Sequence, residues 1–297
     1  MKKEFEHVPN GKCIAEKLIA TWPKLKVPSD AEPYVREQVE QNGASYIKMF
    51  HELGDSIGLH LPSPPIDVQE AVVIAAHKYG VIAVGHAFSY AGAMALLRAG
   101  ADGLTHMFLD QPPQDDFVQL MKLQRAHCAP TLGLCGSQTG EGEELQRRFT
   151  EDSFAQRMLL NKEPGKPLGF ALSQRPRSSV QHVYRSTRKL YDTGIPILVG
   201  SDAAGRELGM PYGLGVHIEM YLLSHEVGMT PIDVLKAATS AIADRFQFDD
   251  RGRIEVGRKA DLVLMEGDIS ASLADNDALC LPVKTVWREG VMATIFQ

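Results

Sequence analysis

A chain of 297 residues with 44% hydrophobic and 23% charged content can build a sizeable core, in one large domain or two ordinary ones. Its formal net charge of −6 provides no basic footprint for nucleic acid or for an anionic membrane surface. No run reaches the roughly 20 apolar residues of a spanning helix, and the opening "MKKEFEHVPNGK" lacks the apolar segment of a secretory signal.

Residues 1–30 form an atypical N-terminal segment. From about Tyr34 helical and strand periods alternate. "EPYVREQVEQNGA" predicts a helix closing on Gly43, followed by the apolar run "SYIKMF". "DVQEAVVIAAHKYG" predicts a second helix, before "VIAVGH"; "YAGAMALLRAGA" a third, before "DGLTHMF"; "DDFVQLMKLQRAH" a fourth, before "CAPTLGL". Residues 136–176 are charged and rich in Gly and Pro, with one helical stretch, and read as a long insertion on the side where lids form. "SSVQHVYRSTRKLYDTG" then predicts a fifth helix, before "IPILVGSD". Five helix–Gly–strand units in succession indicate a parallel sheet with covering helices, the glycines standing where a helix C-terminus favours positive φ.

Two further helices follow, in "GLGVHIEMYLLSHEVG" and "TPIDVLKAATSAIADRFQF", the second with Thr230 as N-cap and Pro231 at its first position. The tail changes character: "GRIEVGRKADLVLMEGD" and "PVKTVWREGVMATIF" alternate apolar and polar residues around Gly turns, as antiparallel strands do. Residues 1–250 are therefore expected to form the helix–strand domain, and 251–297 a small separate sheet. The cysteines Cys13, Cys128, Cys135 and Cys280 do not make a disulfide framework, so reduced thiols and a cytoplasmic setting are expected.

Each parallel unit ends in a polar or ionisable residue: Lys48, His86, His106, Thr131 and Asp202. The carboxyl ends of parallel strands converge on one functional face. Taken singly, each has a plain structural reading: a strand-end histidine is more often a hydrogen-bonded core residue, and "SD" after a strand is often a helix cap. Lys48 is least easily dismissed, because a lysine buried in "YIKMF" costs free energy unless it is paired or modified. Four ionisable groups arriving from four strands favour a functional cluster. His51 and His60, in the loop after "YIKMF", could approach the same face and join Thr131 as substrate-contacting residues. His77, His217 and His225 lie on helices, and His127 precedes its strand and belongs at the opposite end. Ser89 and Ser201 do not sit in a G-x-S-x-G elbow.

The order Lys, His, His, Asp, with "AAHKYGVIAVGHAFSYAGAMALLRAGADGLTHMF", "GIPILVGSDA", "GMTPIDVLKAATSAIADRF" and "GRIEVGRKADLVLMEGD", resembles the amidohydrolase superfamily, particularly its imidazolonepropionase-like and Xaa-Pro dipeptidase-like members. The resemblance runs from about Pro33 to the C-terminus. It implies an α/β fold of (β/α)8 TIM-barrel type with a small C-terminal β-sandwich portion. It also implies a metallohydrolase acting on carbon–nitrogen bonds through metal-activated water. Carried over, Lys48 would be a carboxylated ligand, His86 and His106 ligands, and Asp202 a ligand and general base, with His106 beside it in catalysis.

The family's H-x-H pair is absent from this sequence, and residues 1–30 are too few for three further βα units. The barrel is therefore expected to be incomplete, with about five recognisable units, and to bind one divalent, zinc-like ion, not a two-metal centre. Its open edges would need cover from the N-terminal segment, a second copy of the chain or another partner. A small-molecule substrate is expected, with no nucleic acid and no membrane. Two alternatives stand beside hydrolysis: a metal-poor relative running a dehydration, isomerisation or decarboxylation, and a truncated, non-catalytic paralogue.

Overall fold

The computed structural model describes residues 25–54, 56, 63–158, 178–203 and 210–294. Four parallel strands form one sheet in sequence order: β1 (Tyr46–Phe50), β2 (Ile82–His86), β3 (Gly103–Thr105) and β4 (His127–Ala129). The "IPILVG" segment joins at the far edge by a parallel bridge from Ile197 to Cys128, with Leu198 N donating to Cys128 O. β1 is the other edge, and the barrel is not closed among the described residues. The architecture is an incomplete (β/α)8-type barrel of five parallel segments, as the helix–Gly–strand repeats require.

Helices cover the outer face. α1 (Ala31–Arg36) continues as a π-turn to Gln41, and α2 (Ile66–Lys78), α3 (Tyr90–Arg98) and α4 (Asp115–Leu123) follow the strands in turn. Ser89 caps α3, its hydroxyl accepting from Gly92 N. Gly80 and Gly100 close α2 and α3 at φ +73° and +91°, where a side chain would be strained. Alternation then sorts the strand residues: Ile47 and Met49 are buried under the helices, whereas Tyr46 and Lys48, on the interior face, are exposed at the open edge.

The strand expected over "CAPTLGL" stops at Ala129. Thr131 adopts φ +52° and α5 (Leu132–Thr139) begins at once, so residues expected to extend the sheet form a buried helix instead. The insertion carries more helix than its composition suggested: α6 (Glu143–Glu151) and α7 (Ser153–Met158) precede residues outside the described set. The chain returns through α8 (Val180–Asp192), α9 (Leu214–His225), α10 (Pro231–Ala237) and α11 (Ser240–Arg245). Thr230 caps α10 by accepting from Asp233 N.

The tail forms an antiparallel sheet of β5 (Leu262–Met265), β6 (Val283–Arg288) and β7 (Val291–Met292), interrupted by the short helix α12 (Ile269–Ala274). It docks on α9: His217 Nδ1 accepts from Leu281 N, and Ser224 Oγ donates to Leu273 O at 2.6 Å.

The amino end of the parallel sheet is sealed by a polar cluster. Asp102 accepts from Ala83 N and pairs with His77, while Arg245 donates to Asp102 O and to His127 Nδ1. His127 lies in register with Gly103. Burial, then the Arg245 charge, push its imidazole down to about 4, so it stays neutral and can accept from Arg245. A Cβ at Gly103 would fall 2.2 Å from the His127 ring, which is 1% exposed and cannot yield. Gly103→Ala is expected to cost about 1–3 kcal/mol by overpacking, read as a lower urea midpoint. His127→Ala in the same chain should recover part of that loss, and a strictly additive double mutant would contradict the clash.

Candidate functional site

Parallel register builds the site. Phe50, His86, Thr105 and Ala129 lie side by side at the carboxyl ends of β1 to β4. Lys48 lies one step below, in register with Val84. His106 follows β3, anchored by its N–H to Ala129 O, but its φ of +70° turns the side chain out of the strand alternation. Its ring comes to 4.5 Å from that of His86, edge to face. Asp202 adopts φ +46° after the fifth segment, and its Oδ2 lies 3.8 Å from His106 Nε2. Among the described residues, His106, Thr131 and Asp202 are three of the six non-glycine residues with positive φ. Backbone strain of this kind gathers where a site fixes side-chain direction.

The His106 imidazole is buried, and that of His86 is only 12% exposed. Phe50 stacks on His86 at 4.3 Å and Phe88 on His106 at 4.5 Å. Burial depresses both rings well below the ordinary histidine range, and the positive charge of Lys48 acts in the same direction on each. They are therefore neutral, and each presents a buried Nε2 with no hydrogen-bond partner. His106 Nδ1 lies 2.6 Å from Thr131 Oγ1.

Lys48, His86, His106 and Asp202 are thus brought together at one face. The other expected contacts fall elsewhere. Thr131 is 1% exposed with its hydroxyl on His106, so it braces the imidazole and does not face open space. His51 is 7% exposed, its Nδ1 lying 2.6 Å from Gln69 Nε2 of α2. His60 lies outside the described residues.

Sequence reasoning passed over three side chains. Glu52, 1% exposed, accepts from Gly54 N and Phe88 N and stands 3.9 Å from His86 Nε2. Phe88 supplies the stacking face for His106. Glu219 of α9 is fully buried behind Thr131 and accepts from Gly133 N. The one available signal for Glu219 was a lone charge inside the apolar run "VHIEMYLL".

The two orphaned imidazole nitrogens are what a divalent ion would take, and neutral imidazole is the donor such ions prefer. As the side chains stand, no three His, Cys, Asp or Glu among the described residues are close enough to enclose one. Asp202 is 41% exposed, which leaves it room to turn inward.

Fold and geometry together describe a parallel α/β barrel chain with two histidines and an aspartate side by side at its carboxyl face. The amidohydrolase family profile matches residues 1–293, and the chain belongs to that family, whose members generally use divalent metals. Among curated proteins, it is 30% identical to the imidazolonepropionase of Streptomyces griseus subsp. griseus over 112 residues, 38% of this chain and 28% of that one. Among solved structures, it is similar to a Xaa-Pro dipeptidase crystallised with methionine in its active site (TM-score 0.65, 23% identity, 91% of this chain and 59% of that one). The Aspergillus niger (A. niger) ochratoxinase has the same fold (TM-score 0.64, 19% identity, 90% and 55%). The chain thus spans less than two thirds of the length of either structure.

Burial pushes the Glu219 carboxyl up to about 8 from the ordinary 4.5, against the opposing pull of the Thr131–Gly133 amides. Between those values the folded chain keeps a proton that the unfolded chain has lost, so rising pH favours unfolding across that window. Glu219→Gln cannot titrate. Its stability relative to wild type is expected to rise between about pH 5 and 8, by up to a few kcal/mol, and to level off above. Urea unfolding across pH checks this, and a pH-independent difference would refute it.

Proposed function

We propose that the chain is a hydrolase of carbon–nitrogen bonds in small molecules and works with one divalent, zinc-like ion. The observation that carries this reading is the pair of buried, partnerless Nε2 atoms of His86 and His106 on adjacent strand ends. His86, His106 and Asp202 would hold the ion, joined by Lys48 once carboxylated. When bound, the ion would polarise an amide carbonyl and supply hydroxide near neutral pH.

The chain's own residues supply the rest. Asp202 is the acid–base group: its exposed carboxylate takes the proton of the attacking water and returns it to the leaving nitrogen. Phe50 and Phe88 keep water from the flanks of the imidazoles, which preserves their neutral form. His51, whose backbone N–H donates to His86 O, and Thr131, whose hydroxyl lies on His106, support the site from behind. Partial similarity to an imidazolonepropionase and membership of the amidohydrolase family support a small amide, cyclic or linear, as the target.

The purified protein should contain about one divalent ion per chain, since two imidazoles and a carboxylate suffice for such a site. His86→Ala or His106→Ala should lower occupancy to less than about 0.2. Asp202→Asn should reduce amide turnover by about 10²–10⁴-fold. Elemental analysis and an amide hydrolysis assay check both, and a metal-free wild type would sink the proposal. The carboxylate distances of 3.8 and 3.9 Å favour one second reading, in which His86, His106 and Asp202 run a metal-independent acid–base reaction. Activity that survives a chelator would identify it.

A further inference from the structure

Glu52 stands at the carboxyl face and has no part in the reaction as described. It follows β1 by two residues, and the loop that carries it is tied to β2, with His51 N donating to His86 O at 2.9 Å. Gly54 turns at φ +85° and donates its N–H back to Glu52 Oε1 at 2.6 Å, while Phe88 N donates to Oε2 at 2.7 Å. A carboxylate that is 1% exposed and held by two backbone donors has a fixed position. Those two bonds would suffice for a glutamate that only fastens the loop after β1 to the loop after β2.

Fastening does not explain the neighbour. Glu52 Oε2 stands 3.9 Å from His86 Nε2, a buried nitrogen without a hydrogen-bond partner. That spacing is too long for a hydrogen bond, which runs about 2.7–3.2 Å. It is near the separation of two ligands on one tetrahedral ion: at about 2.1 Å from the metal, they stand about 3.4 Å from each other. The other imidazole repeats the arrangement, with Asp202 Oδ2 3.8 Å from the orphaned His106 Nε2. Each open nitrogen therefore has one carboxylate oxygen beside it, and the two rings lie 4.5 Å apart.

The carboxylates differ in freedom. Asp202 is 41% exposed and can turn, whereas Glu52 cannot close on His86 without giving up Phe88 N. A carboxylate offers about four lone-pair sites, so the bond from Phe88 N does not prevent Oε2 from binding an ion. It orients the oxygen instead, as outer-shell donors do for metal ligands.

We infer that Glu52 is a metal ligand: its Oε2 and His86 Nε2 form the rigid half of a divalent, zinc-like site that His106 and Asp202 complete. The inference rests on the one-ion hydrolase reading, and it supplies an anionic donor on the β1 side without requiring Lys48 to be carboxylated.

The test is the zinc affinity of the purified full chain, measured by competition with a chelator of known affinity. Glu52→Gln keeps an oxygen for one of the two amides and removes the charge. It is expected to weaken zinc binding by more than about 100-fold, beyond the roughly 10–100-fold that loss of an outer-shell partner costs. A folded Gln variant whose affinity falls by less than that overturns the inference. A second measurement needs no variant: zinc is added to wild type carrying 13C in its glutamate carboxyls, and the infrared difference spectrum is recorded. A shifted 13C carboxylate stretch is expected, and its absence overturns the inference even if the Gln variant does not fold. Wild type that binds no zinc refutes the hydrolase reading together with this assignment, whereas zinc-binding wild type with no glutamate signal refutes this assignment alone.

Discussion

Two neutral imidazoles set side by side, each with one buried nitrogen left without a hydrogen-bond partner, are the constraint around which the carboxyl face is organised. An unsatisfied buried polar atom costs on the order of 1–3 kcal/mol, and the sheet carries two of them at adjacent strand ends. Nothing in packing alone calls for such a pair, because a leucine in either place would fill the volume at no electrostatic cost. Phe50 and Phe88 enclose the rings, Thr131 takes one nitrogen of His106, and the Nε2 atoms stay open. The surrounding residues make these two nitrogens available and keep them unprotonated.

Register and strain divide the work of aiming them. Parallel pairing sets Phe50, His86, Thr105 and Ala129 at one level, which suffices for His86 because it ends its own strand. His106 lies one residue past Thr105, so strand alternation by itself would direct it to the opposite face. The positive φ of His106 reverses that direction, and those of Thr131 and Asp202 bring a hydroxyl and a carboxylate to the same imidazole. Each such residue costs on the order of 1–3 kcal/mol. The buried carboxyl of Glu219 is one of the supports that offset the cost at Thr131.

Much of this was legible in the residues, for definite reasons. Helix caps and glycine stops are local, so Ser89, Thr230, Gly80 and Gly100 announce their elements without tertiary information. Strand-end chemistry is also local, so Lys48, His86, His106 and Asp202 could be gathered to one face by the parallel rule alone. What escaped depends on distant neighbours. The strand expected through Leu134 is cut short at Ala129 because Glu219, far along the chain, caps a helix there. His51 and Thr131 have the polarity of substrate contacts, but Gln69 and His106 bind them from other elements. Glu52 was invisible because its partners, Gly54 N and Phe88 N, are backbone groups with no signature in the sequence.

The two halves of the site differ because of sheet order. His86 and His106 end inner strands, covered on both sides, and their neutrality is a property of the sheet and its aromatic neighbours. Lys48 lies on β1, the edge strand, and faces solvent. A lysine facing water needs no counter-charge, whereas the same side chain enclosed by opposing strands would have to be paired or chemically altered. As an exposed cation, Lys48 acts on both imidazoles in the direction that opposes their protonation, and it opposes a metal cation for the same reason. Carboxylation would reverse the sign of that field and add two oxygen donors at once. The chemistry of the centre therefore depends on what stands opposite β1, while the direction and protonation of its two nitrogens are already set by β2, β3 and the turn at Thr131.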